Sequence, residues 1–104
     1  MRIKRISLSD EFWSGVREHV LELLTGEILQ SGVAVVKPGE RYPPQGFSKH
    51  EESDELSFMI SGKLKFCTDE EEIILKPGDL VLNPKGTPHY IENVGNEEVR
   101  SSGF

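Results

Sequence analysis

Apolar positions along the chain fall in short segments of five to nine residues, and several alternate with polar neighbours instead of recurring at helical spacing. Leu56, Phe58 and Ile60 alternate with Ser57, Met59 and Ser61, and Leu64 and Phe66 with Lys63 and Lys65, a period of two that buries one face of each segment. Pro-Gly turns separate these segments at Lys37-Pro38-Gly39-Glu40 and Lys76-Pro77-Gly78-Asp79. Proline presets φ near about −65° and the glycine after it accepts a positive φ, so each marks a chain reversal of type II geometry. Between the reversals the pattern predicts strands at Arg2–Leu8, Gln30–Val36, Leu56–Ile60, Lys63–Thr68, Glu72–Leu75, Leu80–Leu82, Tyr90–Val94 and Glu98–Ser102. Thr68-Asp69-Glu70-Glu71 reads as a solvated hairpin tip. So many short strands in a small chain predict an all-β sandwich or barrel.

Ser9–Leu24 fits two patterns. Phe12, Val16, Val20 and Leu23-Leu24 form a helical stripe, while Val16–Leu23 also accommodates a strand. A short helical turn at Ser9–Trp13 followed by a strand is expected. Residues 1–25 then form an N-terminal extension that packs on the barrel or on a dimer partner, and 26–104 form the barrel. An internal echo accompanies the turns: Gly39 to His50 and Gly78 to His89 span the same eleven positions, and Pro44-x-Gly46 matches Pro84-x-Gly86. Two related half-structures would bring His50 and His89 to comparable places facing one interior.

Composition narrows the function. At 104 residues and 36% hydrophobic, the chain has room for one domain with one core. Twelve Lys+Arg against 18 Asp+Glu give a formal charge of −6 and no basic cluster, which argues against nucleic acid as a partner. Apolar runs such as Val33–Val36 are far below the ~20 residues needed to cross a bilayer, and the N-terminus lacks the apolar stretch of a signal peptide. A soluble, cytoplasmic protein is expected. Cys67 stands alone, so no internal disulfide stabilises the fold, and the chain shows no phosphate-cradling loop, nucleophile elbow or CxxC pair.

Two motifs carry chemistry. Gly78 to Asn93 reads G-x5-P-x-G-x2-H-x3-N, and the Gly, Pro, Gly triple alone would arise by chance at roughly 2 starting positions in ten thousand. Upstream, His50-x4-Glu55-x6-Gly62 spaces a histidine, a carboxylate and a glycine along a loop and the strand that follows. These stretches resemble the two conserved motifs of the cupin superfamily. The first departs from the pattern at one ligand, because the earlier histidine of H-x-H-x3-4-E-x6-G would fall at Ser48.

The resemblance implies a small antiparallel jelly-roll β-barrel whose interior holds a metal. Carried over residue by residue, the ligands are His50, Glu55 and His89, with Ser48 in the place of a third histidine. Neutral imidazole and carboxylate suit a divalent transition metal, Fe, Mn, Ni, Zn or Cu, and two His with one carboxylate leave coordination positions open. The reading is a metalloenzyme of the oxygenase or lyase class acting on a small molecule. Its alternatives are a small-ligand-binding barrel with weak or no metal, and a metal-free scaffold. Tyr42, Phe47, Met59, Tyr90 and Ile91 are candidates for the cavity wall. Asn93 is expected to tie down a turn, and His19 is given no role. A homodimer is expected, with the N-terminal strand adding to a partner's sheet.

Overall fold

The computed structural model describes residues 4–25 and 30–102. Both Pro-Gly turns reverse the chain with the same hydrogen bonds. Gly39 and Gly78 adopt φ of 82° and 93°, and the N–H groups of Lys37 and Lys76 donate to Glu40 Oε1 and Asp79 Oδ2, each at 2.8 Å. The acidic residue closing each Lys-Pro-Gly turn therefore serves as its acceptor. For Glu40 that backbone bond is the main cause of a carboxyl pKa below its ordinary value, with His19 assisting.

The elements are α1 (Asp10–Ser14), β1 (Val20–Thr25), β2 (Gln30–Val36), β3 (Arg41–Tyr42), β4 (Glu55–Ser61), β5 (Leu64–Thr68), β6 (Glu72–Leu75), β7 (Leu80–Asn83), β8 (His89–Asn93) and β9 (Val99–Ser102). They form two antiparallel sheets, five-stranded β1-β2-β9-β4-β7 and four-stranded β3-β8-β5-β6, facing each other as a jelly roll. The ambiguous N-terminal stretch resolves as a single helical turn, capped by the Ser9 hydroxyl accepting from the Phe12 N–H, and then a strand. Among the described residues no helix is long and apolar enough to cross a membrane.

Ala34, Val36, Met59, Leu64, Phe66, Leu75, Ile91 and Val99 fill the space between the sheets. A second cluster lies on the outer face of the five-stranded sheet, where Trp13, with Phe12 and Val16, covers Val33, Val35 and Leu21. Arg100 lies 5.2 Å above the Trp13 ring. Asn93 ties loops down as expected, its amide donating to the Val36 and Glu97 carbonyls at 2.8 Å and accepting from Gly95. The Thr68 hydroxyl accepts from the Glu70 and Glu71 N–H groups at the predicted hairpin tip.

Three strand-level expectations change. Of the predicted strand Arg2–Leu8, residues 4–8 are exposed and belong to no element, and Arg2 and Ile3 lie outside the described residues. β3 was not anticipated, since two residues are too few to show a period. In β4 the buried face is Ser57 and Met59, while Leu56, Phe58 and Ile60 face outward. Both faces of that strand carry apolar residues, so alternation alone does not orient it; β5, with Leu64 and Phe66 inward, follows the pattern.

Candidate metal centre

His50 lies in the loop between β3 and β4, Glu55 opens β4 and His89 opens β8. Three contacts hold the loop against the β7–β8 turn: the Gly86 N–H donates to the His50 carbonyl at 2.7 Å, the Lys85 N–H donates to Asp54 Oδ1 at 2.9 Å, and Ser48 and His89 exchange backbone hydrogen bonds of 2.8 Å. Arg41 braces the same loop through the Pro43 and Gly46 carbonyls. The two histidines, separated by 39 positions, are thus brought ring to ring, with centroids 5.3 Å apart. On its other side His89 stacks on Phe66 at 5.4 Å and 11°.

The donor atoms of His50, Glu55 and His89 all lie within 4.8 Å of one another. His50 Nε2 stands 3.0 Å from Glu55 Oε2, yet that nitrogen and Glu55 Oε1 are shielded from solvent and make no hydrogen bond. Polar atoms shielded from water and without a hydrogen bond, His50 Nε2 and Glu55 Oε1, cost free energy unless something else satisfies them. A cation does so: donors each about 2.0–2.2 Å from one ion and near right angles are about 3 Å apart. The residues therefore fit a divalent metal.

His89 is buried, and burial lowers its pKa below the ordinary imidazole value; the Thr87 carbonyl and Glu55 oppose the shift and His50 adds to it. A neutral imidazole is the form that ligates. Its Nδ1 faces the Thr87 carbonyl at 3.2 Å and Asn83 Nδ2 at 3.0 Å. A carbonyl only accepts, so that contact is made with the proton on Nδ1, which leaves the Nε2 lone pair for the site; the Asn83 amide nitrogen donates to Nδ1 in the other tautomer, and a metal ion at Nε2 would select the first.

Asn83 was not singled out in the sequence. It is buried, contacts His89 and sits directly across the β4–β7 ladder from Glu55. Its only signal is its place before Pro84-x-Gly86. Of the expected wall residues, Met59 and Ile91 belong to the sealed core and Tyr42 packs at its margin. Phe47 and Tyr90 contact each other edge to face, and Tyr90 carries Arg41 over its ring at 3.8 Å on the outer side of the four-stranded sheet. Cys67, also buried, pairs with Tyr90 on that side. His19 Nε2 lies 3.3 Å from Glu40 Oε2. A cleft of about 420 Å³ opens between the β5–β6 tip and the β7–β8 turn, with Phe66, Val81, Asn83 and Thr87 in its wall, so two of the side chains against His89 also face that space.

Comparison with known families places the motifs and the fold together: a model described as a cupin domain matches residues 32–101. The chain belongs to the cupin family. The match takes in His50, Glu55 and His89 together. This cupin is 40% identical over 52 residues to an uncharacterised protein of Methanocaldococcus jannaschii, covering 50% of the chain and 42% of that protein. It is 32% identical over 54 residues to the oxalate-binding protein of Thermotoga maritima, covering 52% and 45%. The aligned part thus spans less than half of either relative. A solved cupin 2 barrel protein from Salinispora arenicola superimposes with a TM-score of 0.72 at 19% identity, over 98% of this chain and 87% of that one, which establishes the shared fold.

Proposed function

We propose that this cupin holds a divalent transition metal through His50, Glu55 and His89 and uses it to handle a small molecule. The carrying observation is the convergence of the three donors with His50 Nε2 and Glu55 Oε1 shielded and without hydrogen bonds. Two neutral imidazoles and one carboxylate leave a bound divalent ion with a net positive charge, so its open positions favour an anionic oxygen donor. The metal supplies Lewis acidity or a site for dioxygen, chemistry of the oxygenase or lyase class. The chain's own groups do the rest. Thr87 and Asn83 fix the His89 ring, Phe66 shields one face of it, and Ser48, bridged to His89 through the backbone, takes the motif's place for a further histidine, which leaves the ion one ligand fewer. The cleft walled by Phe66 and Asn83 falls within the roughly 300–1,000 Å³ of small-molecule sites, although His50, Glu55 and His89 are not themselves in its wall.

Ligand capture without turnover is a second reading, supported by the relative named an oxalate-binding protein. Metal content per chain separates these from a metal-free scaffold. Near-stoichiometric metal in the wild type, lost in His50→Ala/His89→Ala, is the expected result. Substoichiometric metal in the wild type that becomes full in Ser48→His would overturn the metal-dependent reading. With metal present, melting shifts on adding small carboxylates, measured alongside product formation, distinguish capture from catalysis.

A further inference from the structure

The cleft of about 420 Å³ opens between the edge strands of the two sheets, β6 and β7, and none of His50, Glu55 and His89 lines it. Phe66, Ile73 and Val81 give it an apolar wall. Asp69, Glu70 and Glu71 of the β5–β6 tip, all exposed, stand at its mouth. No Lys, Arg or His lines it, and among the described residues none of the three carboxylates has a cationic partner. Nor do they gather as metal ligands: among the described residues, His50, Glu55 and His89 are the group that brings such donors within 4.8 Å of one another. Asn83 sets a directed group among the apolar residues. It is 4% exposed, and its Nδ2 lies 3.0 Å from His89 Nδ1. Its Oδ1 makes no hydrogen bond among the described residues, yet it is not sealed from solvent as Glu55 Oε1 is, which leaves it open toward the cleft that Asn83 lines. An amide oxygen in that setting calls for a donor.

We infer that this cleft is a binding site of its own for a small organic ammonium ion, whose N–H donates to Asn83 Oδ1, and that this ligand opposes metal binding at His89. Three carboxylates around a cleft with apolar walls focus a negative field into it. A carboxylate ligand would meet like charge there, and a bare divalent ion would find no converged donors. An ammonium with a hydrocarbon body answers both the charge and the wall. The coupling follows because Asn83 has one amide to share. With Oδ1 held by the ammonium, Nδ2 stays against His89 and donates to Nδ1, the tautomer whose Nε2 bears the proton and offers no lone pair to an ion. A metal at Nε2 puts that proton on Nδ1 instead, where it faces the Asn83 N–H groups and favours the amide turned over, oxygen to the ring. The two ligands ask for opposite orientations of one amide, so each weakens the other by the same factor. The coupling rests on the proposed metal centre; the cleft site does not.

The test is titration of the full chain with cyclohexylammonium in chelator, followed through backbone amide resonances, with cyclohexanecarboxylate as the control of equal shape and opposite charge. At pH 7 the amine is protonated. Saturable shifts at Asp69–Glu71 and Leu80–Asn83 are expected with the ammonium and none with the carboxylate, and added salt should weaken the binding. Glu70→Gln/Glu71→Gln removes two exposed charges and should weaken the ammonium about fivefold, while Co²⁺ affinity without amine stays at the wild-type value. In the wild type, saturating cyclohexylammonium should weaken Co²⁺ binding, read by absorption, at least about fivefold, and Co²⁺ should weaken the ammonium equally. Absent shifts, or equal shifts from the carboxylate, overturn the cleft site. Ammonium binding that leaves Co²⁺ affinity unchanged overturns the coupling. A wild type that takes up no Co²⁺ overturns the metal reading and the coupling with it, and the titration in chelator still decides the cleft.

Discussion

His89 is held from three sides by groups that differ in chemistry. Phe66 and His50 stack on its faces, while the Thr87 carbonyl and the Asn83 amide meet Nδ1. Stacking restricts the ring plane and the contacts at Nδ1 restrict its rotation, so the ring is oriented before any ion arrives, the arrangement that outer groups around a metal histidine generally provide. The same burial has a pH consequence in the metal-free protein. Unfolded, His89 titrates near 6.5; folded, its pKa lies lower. As pH falls through 6.5 the unfolded chain takes up a proton that the native state still refuses, so stability declines until the pH passes the folded value and then levels. Urea unfolding from pH 8 to pH 5 in chelator should show this decline, and His89→Gln should remove its share of the slope. An identical slope in the variant would mean that the buried imidazole is not its source.

Turns show the same economy at the level of elements, and they explain what could be read in advance. Gly62 and Gly78 both have positive φ, 85° and 93°, but their surroundings differ. A Cβ on Gly78 would meet nothing within 4 Å, whereas on Gly62 it would come to 2.7 Å from Val99 Cγ2, 2.8 Å from Val99 Cα and 2.9 Å from the Glu98 carbonyl oxygen. Gly78→Ala should therefore cost only the backbone penalty, about 1–2 kcal/mol. Gly62→Ala must also displace the start of β9 and should cost at least about 3 kcal/mol by urea unfolding; equal losses would show that the close approach is soft. Turn chemistry is local, which is why Pro77-Gly78 and the strands it bounds were legible from residue order. The outward face of β4 was not, because Met59 and Phe58 are both apolar and only the packing of two sheets decides between them. Asn83 escaped for a related reason: its proximity to Glu55 exists through the β4–β7 register, a long-range relation that leaves no spacing in the chain. His50, Glu55 and His89 were legible because the two motifs fix loop lengths, and loop lengths place side chains.

At the scale of the molecule, the candidate centre and the core share one interior but draw on different parts of it. Ala34, Val36, Met59, Leu64 and Val99 close one part of the space between the sheets, and the part around His50, Glu55 and His89 has shielded nitrogen and oxygen atoms without hydrogen bonds. An ion there would join a loop, β4 and β8, elements from both sheets, so it would hold the two layers together in the native state alone. Binding confined to the folded form adds RT ln(1 + [L]/Kd), about 2.7 kcal/mol at one hundred times Kd. For a domain of this size each kcal/mol moves Tm by about 4–8 °C, so metal loading should raise Tm by roughly 10–20 °C. Chelator should reverse the gain, and His50→Ala/His89→Ala should melt at one temperature with or without metal. Equal Tm values for the loaded and stripped wild type would mean that the ion binds no more tightly to the native barrel than to the unfolded chain, and that packing between the sheets suffices to hold the donors in place.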